Sequence, residues 1–283
     1  MKKIFKFGLL VIIIIAVLSV IVFKESDFRE AKIYFFDVGQ GDSFLFRFPE
    51  GFNVLIDGGP DNSLLPQLGQ ALPFYDKTID LMILTHPHAD HVLGLVEVLR
   101  RYKVKAILAN GIIYNTPDYL AWLQEIKNHQ IPFYIALKGQ HYIFGQADFE
   151  VLSPIQNLFL TKPEDINGTS VVVQLKYKNT KALLMGDLDA KGEGDLVKLF
   201  GSSLGSELLK VGHHGSDTAS TKTFLDMVKP IFAVIQVGRD NTLGLPSFRV
   251  LARLQRLKAK VFRNDLLGSI IFSFQNGQWQ PNK

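Results

Sequence analysis

The sequence predicts an α/β fold: two β-sheets packed on each other, helices covering their outer faces, and a separate apolar segment at the start of the chain. Three observations predict it. Short β-type runs alternate with amphipathic helical stretches from Lys32 onward. Several strands precede the first helix, so the chain is not a simple βαβ alternation and calls for two sheets. Histidines and aspartates sit at the ends of apolar runs, where one edge of the sheets would gather them. The expected architecture is a four-layer αββα sandwich.

The first element is "MKKIFKFGLLVIIIIAVLSVIVFKES", a basic start followed by an unbroken apolar run from Phe7 to Phe23. It is at the short end of the roughly 17–25 residues that span a bilayer. A cleaved signal peptide and an uncleaved anchor compete here. The end of the run reads "VLSVIVFKES", without small residues spaced as A-x-A, which favours the anchor. Lys2, Lys3 and Lys6 before the span favour an inside N-terminus. Lys24 and Arg29 beyond it pull the other way, offset in part by Glu25, Asp27 and Glu30. The expected division is residues 1–30 as basic start, membrane span and linker, and residues 31–283 as one domain. That domain would lie outside the cytoplasm, held to the cell membrane by a single pass.

"AKIYFFDV", "SFLFRF" and "NVLIDGG" read as strands separated by turn signals. "LMILTH" is continuously apolar and reads as a buried strand ending at histidines. "GLVEVLRRYK" reads as a helix and "KAILAN" as a strand. "TPDYLAWLQEIKNHQ" is a helix with Thr116 as N-cap and Pro117 in its first position. "FYIAL", "DFEVLSP", "SVVVQLKY" and "KALLMGD" follow as strands. "AKGEGDLVKLF" is a weaker helix because of its glycines. "SELLKVGHH" is a strand, "STKTFLDMV" a helix, "IFAVIQVG" a strand, "SFRVLARLQRL" a helix, "AKVFR" a strand, and "GSIIFSF" the last strand.

Composition narrows the chemistry. The chain has 283 residues, 47% of them hydrophobic, and no cysteine. Thiolate metal sites and cysteine nucleophiles are therefore excluded, and any metal must use histidine and carboxylate. Net charge is +4, but the three lysines before the apolar run carry most of it. The remainder is nearly neutral and is not marked by charge as a nucleic-acid binder.

"LTHPHADH" places His86, His88, Asp90 and His91 within six positions after a buried strand. In extended chain His86 and His88 point to one side. Asp90 and His91 sit at the turn into the next helix and can point elsewhere. One loop can thus offer two histidines to one metal and an Asp/His pair to a second, a donor set that suits zinc, manganese or iron.

This motif, with "DVGQGDSFLF", "VLIDGG", "LLMGDLD" and "KVGHHGSDTAS" in that order, resembles the metallo-β-lactamase superfamily. It is most similar to the branch of the hydrolase-like domain of the ComEC/Rec2 DNA-uptake proteins. The resemblance extends from Ile33 to Phe274. It implies that Asp57 orients the site without binding metal, that Asp187 bridges two metals, and that His213 is the ligand of the last motif. His214 would then support a ligand from behind or face the substrate. The third histidine usual for the first metal is absent. In its place "INGTSVVV" resembles the branch's Asn-x-x-Ser pattern, so Asn167 and Ser170 are expected to line the first site or the substrate. Where the branch has Tyr-Gly-His-Pro, this chain has Leu243-Gly244-Leu245-Pro246. Gly39, Gln40, Gly41 and Asp42 read as a tight hairpin near the site.

The resemblance implies a metal-dependent hydrolase with two divalent ions, zinc or manganese, with Asp57, Asp90 and His214 joining the catalytic set. Two such ions lower the pKa of water from about 15.7 toward 7. No protein nucleophile is then required, and the chain has neither a G-x-S-x-G elbow nor a Walker loop. The implied substrate is a phosphodiester, either DNA or a cell-wall phosphodiester; a β-lactam is disfavoured by the missing histidine. Arg249, Arg253 and Arg256 share one helix face, which reads as solvated more readily than as a phosphate contact. The competing expectation, raised by the lost Tyr and His, is a non-catalytic DNA-binding or scaffold accessory of a DNA-uptake system.

Overall fold

A computed structural model describes residues 30–282. The span Phe7–Phe23, and with it the expected anchor, lies outside the described residues. Among the described residues no helix is long and apolar enough to cross a membrane.

The first half of the chain forms β1 (Lys32–Phe35), β2 (Phe44–Arg47), β3 (Asn53–Ile56), α1 (Leu64–Ala71), β4 (Thr78–Ile79), β5 (Leu81–Leu84), α2 (Ala89–Arg101), β6 (Lys103–Val104), β7 (Ile107–Ala109), α3 (Pro117–Asn128) and β8 (Phe133–Ile135). The second half forms β9 (His141–Phe144), β10 (Ala147–Ser153), β11 (Val172–Tyr177), β12 (Thr180–Leu184), α4 (Ala190–Phe200), β13 (Leu208–Lys210), α5 (Lys222–Val228), β14 (Phe232–Ile235), α6 (Phe248–Arg256), β15 (Lys260–Arg263), α7 (Asn264–Leu267), β16 (Ile270–Gln275) and β17 (Gln278–Pro281). One sheet runs in the order β17-β16-β1-β2-β3-β5-β7-β8 and the other β15-β14-β13-β12-β11-β10-β9, with β4 and β6 paired apart.

Strand alternation builds the layers. Phe44 and Phe46 point inward from β2, while Leu45 between them points out. Inward residues of both sheets make the central core, where the Phe46 and Phe149 rings meet edge to face at 5.2 Å. On the outer face of the first sheet Leu55, Met82 and Ile107 pack under Leu68, Leu95 and Trp122 of α1, α2 and α3. On the outer face of the second, Leu183, Leu209 and Ala233 pack under Leu196, Phe224 and Val250 of α4, α5 and α6. The layers are therefore helix, sheet, sheet, helix.

Six elements are absent from the sequence expectation, the short β4, β6, β9 and α7 and two whose signals can be named. "GSIIFSF" is not the last strand: Asn276 and Gly277 both take positive φ, 52° and 81°, and turn the chain back as β17. The signal was the Asn-Gly pair itself. Helix α1, "LLPQLGQA", was hidden by Pro66, which is tolerated because it falls in the first turn, where backbone donors lack helical partners.

Strand direction explains where chemistry gathers. β1, β3, β5 and β7 run parallel in the first sheet, and β12, β13, β14 and β15 in the second. Their C-terminal ends share one edge of the sandwich. Gln236, just past β14, bridges the sheets there by donating to the carbonyls of Phe36 and Ser43 at 3.0 and 2.8 Å.

Candidate metal centre

Each site residue follows a strand end at that edge or precedes a strand that starts there. Asp42 lies between β1 and β2, Asp57 follows β3, His86 to His91 follow β5, Asp187 follows β12, and His213 and His214 follow β13. Asn167 and Ser170 lie ahead of β11, which runs antiparallel to β12. Gly41 permits the approach of the first loop, since a Cβ there would stand 2.3 Å from the Asp90 carbonyl.

The outer partners of the histidines set which ring nitrogen faces inward. Thr85 donates to Asp57 from its backbone N at 2.8 Å and from its hydroxyl at 2.7 Å. Since that hydroxyl proton is used, His86 donates its Nδ1 proton to Thr85 Oγ1 at 3.1 Å and turns Nε2 inward. His91 donates from Nδ1 to Asp57 at 2.8 Å, and His214 from Nδ1 to the Gln236 carbonyl at 2.9 Å. Both therefore turn Nε2 toward the carboxylates at the centre, the arrangement that orients metal-binding imidazoles. His88 brings its Nδ1 to 3.1 Å from His86 Nε2.

Asp187 is the pivot. Its Oδ2 lies 4.0 Å from His86 Nε2, 3.5 Å from His91 Nε2 and 3.4 Å from His214 Nε2. Among the described residues four overlapping groups could hold an ion, and two of them, His86–His91–Asp187 and Asp90–His91–His214, lie beside this carboxylate. Ser170 holds Asp187 from behind by accepting its backbone N–H at 3.1 Å.

The two adjacent histidines stand in different surroundings. His214, expected behind a ligand or facing substrate, is buried and brings Nε2 to 3.2 Å from Asp90. His213, expected among the ligands of that group, stands at its margin: its Nε2 is 3.9 Å from Asp187 and 3.3 Å from the Asn167 amide. The cause is local. Both residues adopt the left-handed conformation, φ 47° and 50°, so consecutive side chains leave the turn in different directions. Asp57 is also left-handed, at φ 55°. Such non-glycine strain concentrates where surrounding contacts over-determine a site.

Two participants were not recognised in the sequence. Asp42, read as part of a hairpin, is fully buried and forms an ion pair with the equally buried Lys210. Lys210 also donates to the Gly186 carbonyl at 3.1 Å and stands 3.9 Å from Asp187. The available signal was a lysine inside the apolar strand "SELLKV", where a charge is rare unless paired.

The electrostatics of this cluster call for cations. Burial opposes a charge on His91, yet Asp187 and Asp90 outweigh it and raise its pKa well above the usual value. Burial is likewise overcome at His214 by Asp187 and Asp42. Asp187 is held well below the carboxylate range: burial works against this, and the charges of His214 and His91 prevail. His86, by contrast, is lowered well below its usual value by burial and by the charge of His91, so it stays neutral and free to ligate. His91 Nε2 and Asn167 Oδ1 are buried without a hydrogen-bond partner. Crowded carboxylates and imidazoles turned with Nε2 inward fit a pair of divalent ions, whose binding would displace the protons of His91 and His214.

Outside this cluster the other histidines lie apart. His129 caps α3, and His141 on β9 pairs with Asp148 at 2.9 Å. Arg249 reaches Asp217 at 3.0 Å, and Arg253 donates to the Ser220 carbonyl at 3.0 Å. These arginines brace the segment after His214. The Leu243–Pro246 stretch is pinned by Asn241, whose amide accepts from Leu245 N and donates to its carbonyl, both at 3.0 Å.

Fold and site together define a class, and residues 36–238 match the family model of the metallo-beta-lactamase superfamily. The chain belongs to that superfamily. Among curated relatives it is 31% identical to Competence protein ComA of Neisseria gonorrhoeae, over 88% of this chain and 33% of that protein. It is 29% identical to ComE operon protein 3 of Bacillus subtilis, over 87% of this chain and 33% of that protein. The chain thus spans about a third of the length of these relatives. Among solved structures it superposes on the metallo-beta-lactamase fold protein YhfI from Bacillus subtilis with a TM-score of 0.57, covering 86% of this chain and 99% of that one at 10% identity. At that identity the likeness concerns the fold alone.

Proposed function

We propose that the chain is a membrane-anchored, metal-dependent phosphodiester hydrolase acting on nucleic acid. The observation that carries the reading is that one carboxylate, Asp187, faces both ligand groups. His86 Nε2, His88 Nδ1 and Asp187 would hold a first divalent ion, with Asn167 and His213 beside it. Asp90, His91 Nε2, His214 Nε2 and Asp187 would hold a second. Zinc and manganese both suit this donor set. When bound, the ions supply the acidity that ionises water near neutral pH and the charge that meets phosphate oxygens.

The protein's own residues prepare the place. Asp57 and Thr85 fix the rings of His91 and His86, Gln236 fixes His214, and Lys210 neutralises Asp42 beneath the centre. His213 and the Asn167 amide stand at the open margin, positioned to meet a substrate oxygen. The printed name of a relative, a competence protein, supports nucleic acid as the substrate class.

The test is direct. The full chain, purified in detergent, is stripped of metal and titrated with zinc or manganese while hydrolysis of bis(p-nitrophenyl) phosphate and of a single-stranded oligonucleotide is followed. Activity is expected to rise with the second equivalent, because the first group relies on fewer strong donors and fills last. Full activity at one equivalent overturns the two-ion reading. No hydrolysis at any occupancy leaves a binding or scaffold role instead.

A further inference from the structure

A cavity of about 330 Å³ opens beside the centre at the same sheet edge, one strand further along. Its wall is the segment after β7, whose Ala109 pairs in register with Leu84 of β5, so the cavity lies next to the loop carrying His86 and His88. Tyr114 joins the two places: it lines the cavity, and its ring centroid is 5.9 Å from that of His88. The remaining lining is aromatic and aliphatic, with Tyr119, Phe133 and Phe159 around Leu120 and Leu123. Asn115 adds an amide.

Two lining residues that a packing role alone would cover are open: Phe159 is 52% exposed and Leu120 50%. The volume is at the lower end of the range for small organic ligands, roughly 300–1,000 Å³. No carboxylate and no cation lines the cavity. A quaternary ammonium group would meet the rings but leave the Asn115 amide unused, and a second phosphate would lack a partner. A flat, neutral, aromatic group with polar edges fits: its faces meet Tyr114 and Phe159, and Asn115 meets an edge. Another cavity near the centre, bounded by Asp165, Asp189, Asp195 and Lys191, has three carboxylates against one ammonium, an acidic balance that disfavours a phosphate-linked ligand.

We propose that this cavity is the base subsite, taking the nucleobase of a nucleotide whose phosphate lies at the centre. The assignment rests on the phosphodiesterase reading and names its substrate more closely. It makes the chain select unpaired nucleotides, because a base held in a duplex cannot turn its faces to Tyr114 and Phe159.

Three esters with the same leaving group test it: the p-nitrophenyl esters of thymidine 5′-phosphate, phosphorylcholine and methyl phosphate, hydrolysed by the full chain in detergent with metal added. The thymidine ester is expected to have the lowest KM. Phe159→Ala and Leu120→Glu, both at exposed positions, should raise that KM by roughly 5- to 150-fold, the range for loss of one base–aromatic contact. The methyl ester should not respond. Binding is read separately, without turnover. Trp122 stacks on Tyr119 at 5.6 Å, so thymidine 5′-monophosphate should change its fluorescence in a Trp279→Phe background, while methyl phosphate should not. Equal KM values for the three esters, or a choline preference lost in Phe159→Ala, overturn the base subsite and leave the hydrolase intact. If none of the esters is hydrolysed, the function fails first, and the fluorescence titration alone decides whether a base binds.

Discussion

At the residue scale, the candidate centre depends on groups that stand behind its donor atoms. Asp57 acts through His91, so Asp57→Ala should lower metal affinity or activity by roughly 10–100-fold, the usual range for an outer partner of a ligating histidine. Competition of the purified chain with a chromophoric chelator measures it. Asp187→Asn should cost more, because it weakens both groups at once, and metal analysis should then find fewer than two ions per chain. Lys210→Met removes the cation paired with buried Asp42 and leaves that carboxylate to His214, at 3.3 Å, which should cost up to about 3–5 kcal/mol in denaturant unfolding. The H-x-H-x-D-H cluster was legible because its spacing alone implies chemistry. Asp42 and Lys210 were not, since a glycine-flanked aspartate and a lone lysine acquire meaning only when two distant strands bring them together. Nor could spacing separate His213 from His214: the left-handed turn decides between neighbours, and only backbone torsions record it.

At the element scale, the strands read well from composition because their inward and outward residues alternate around apolar centres. β17 and α1 were missed where a turn pair and a first-turn proline were read as interruptions. A less visible tie is Glu193 on α4, which accepts the backbone N–H groups of Ser220 and Thr221 at 2.5 and 2.8 Å ahead of α5. Burial pushes its pKa up to about 7 despite those bonds. Its folded value is thus raised above the unfolded one. The protonated form carries the stability, which is fully present below about pH 4.3, the unfolded value for Glu, and is lost as pH rises toward 7. Thermal melts of the wild type and Glu193→Gln across this range should converge or cross with pH; a constant offset would show that Glu193 does not titrate there. In the central core, Phe149→Ala removes the ring that Phe46 and Phe48 meet edge-on, and should cost about 3–5 kcal/mol in equilibrium unfolding.

At the scale of the whole molecule, the described side chains that could hold a metal gather at one edge of the sandwich. The proposed anchor is tested on the same scale. The full chain should sediment with membranes and a chain beginning at Glu30 should not; recovery of the full-length protein in the soluble fraction would refute the anchor.

The direction of β1 then has a consequence of its own. The strand starts beside Glu30 and ends at the edge that holds Asp42, so chain entry and active centre lie at opposite poles. Four residues of strand separate them by roughly 13 Å, and the six residues between Phe23 and Glu30 extend to at most about 20 Å. If Phe7–Phe23 anchors the chain as proposed, a domain moored at that pole would look outward, its reach a shallow shell above the lipid, open to strands arriving from the surroundings and turned away from anything lying flat on the bilayer beneath it.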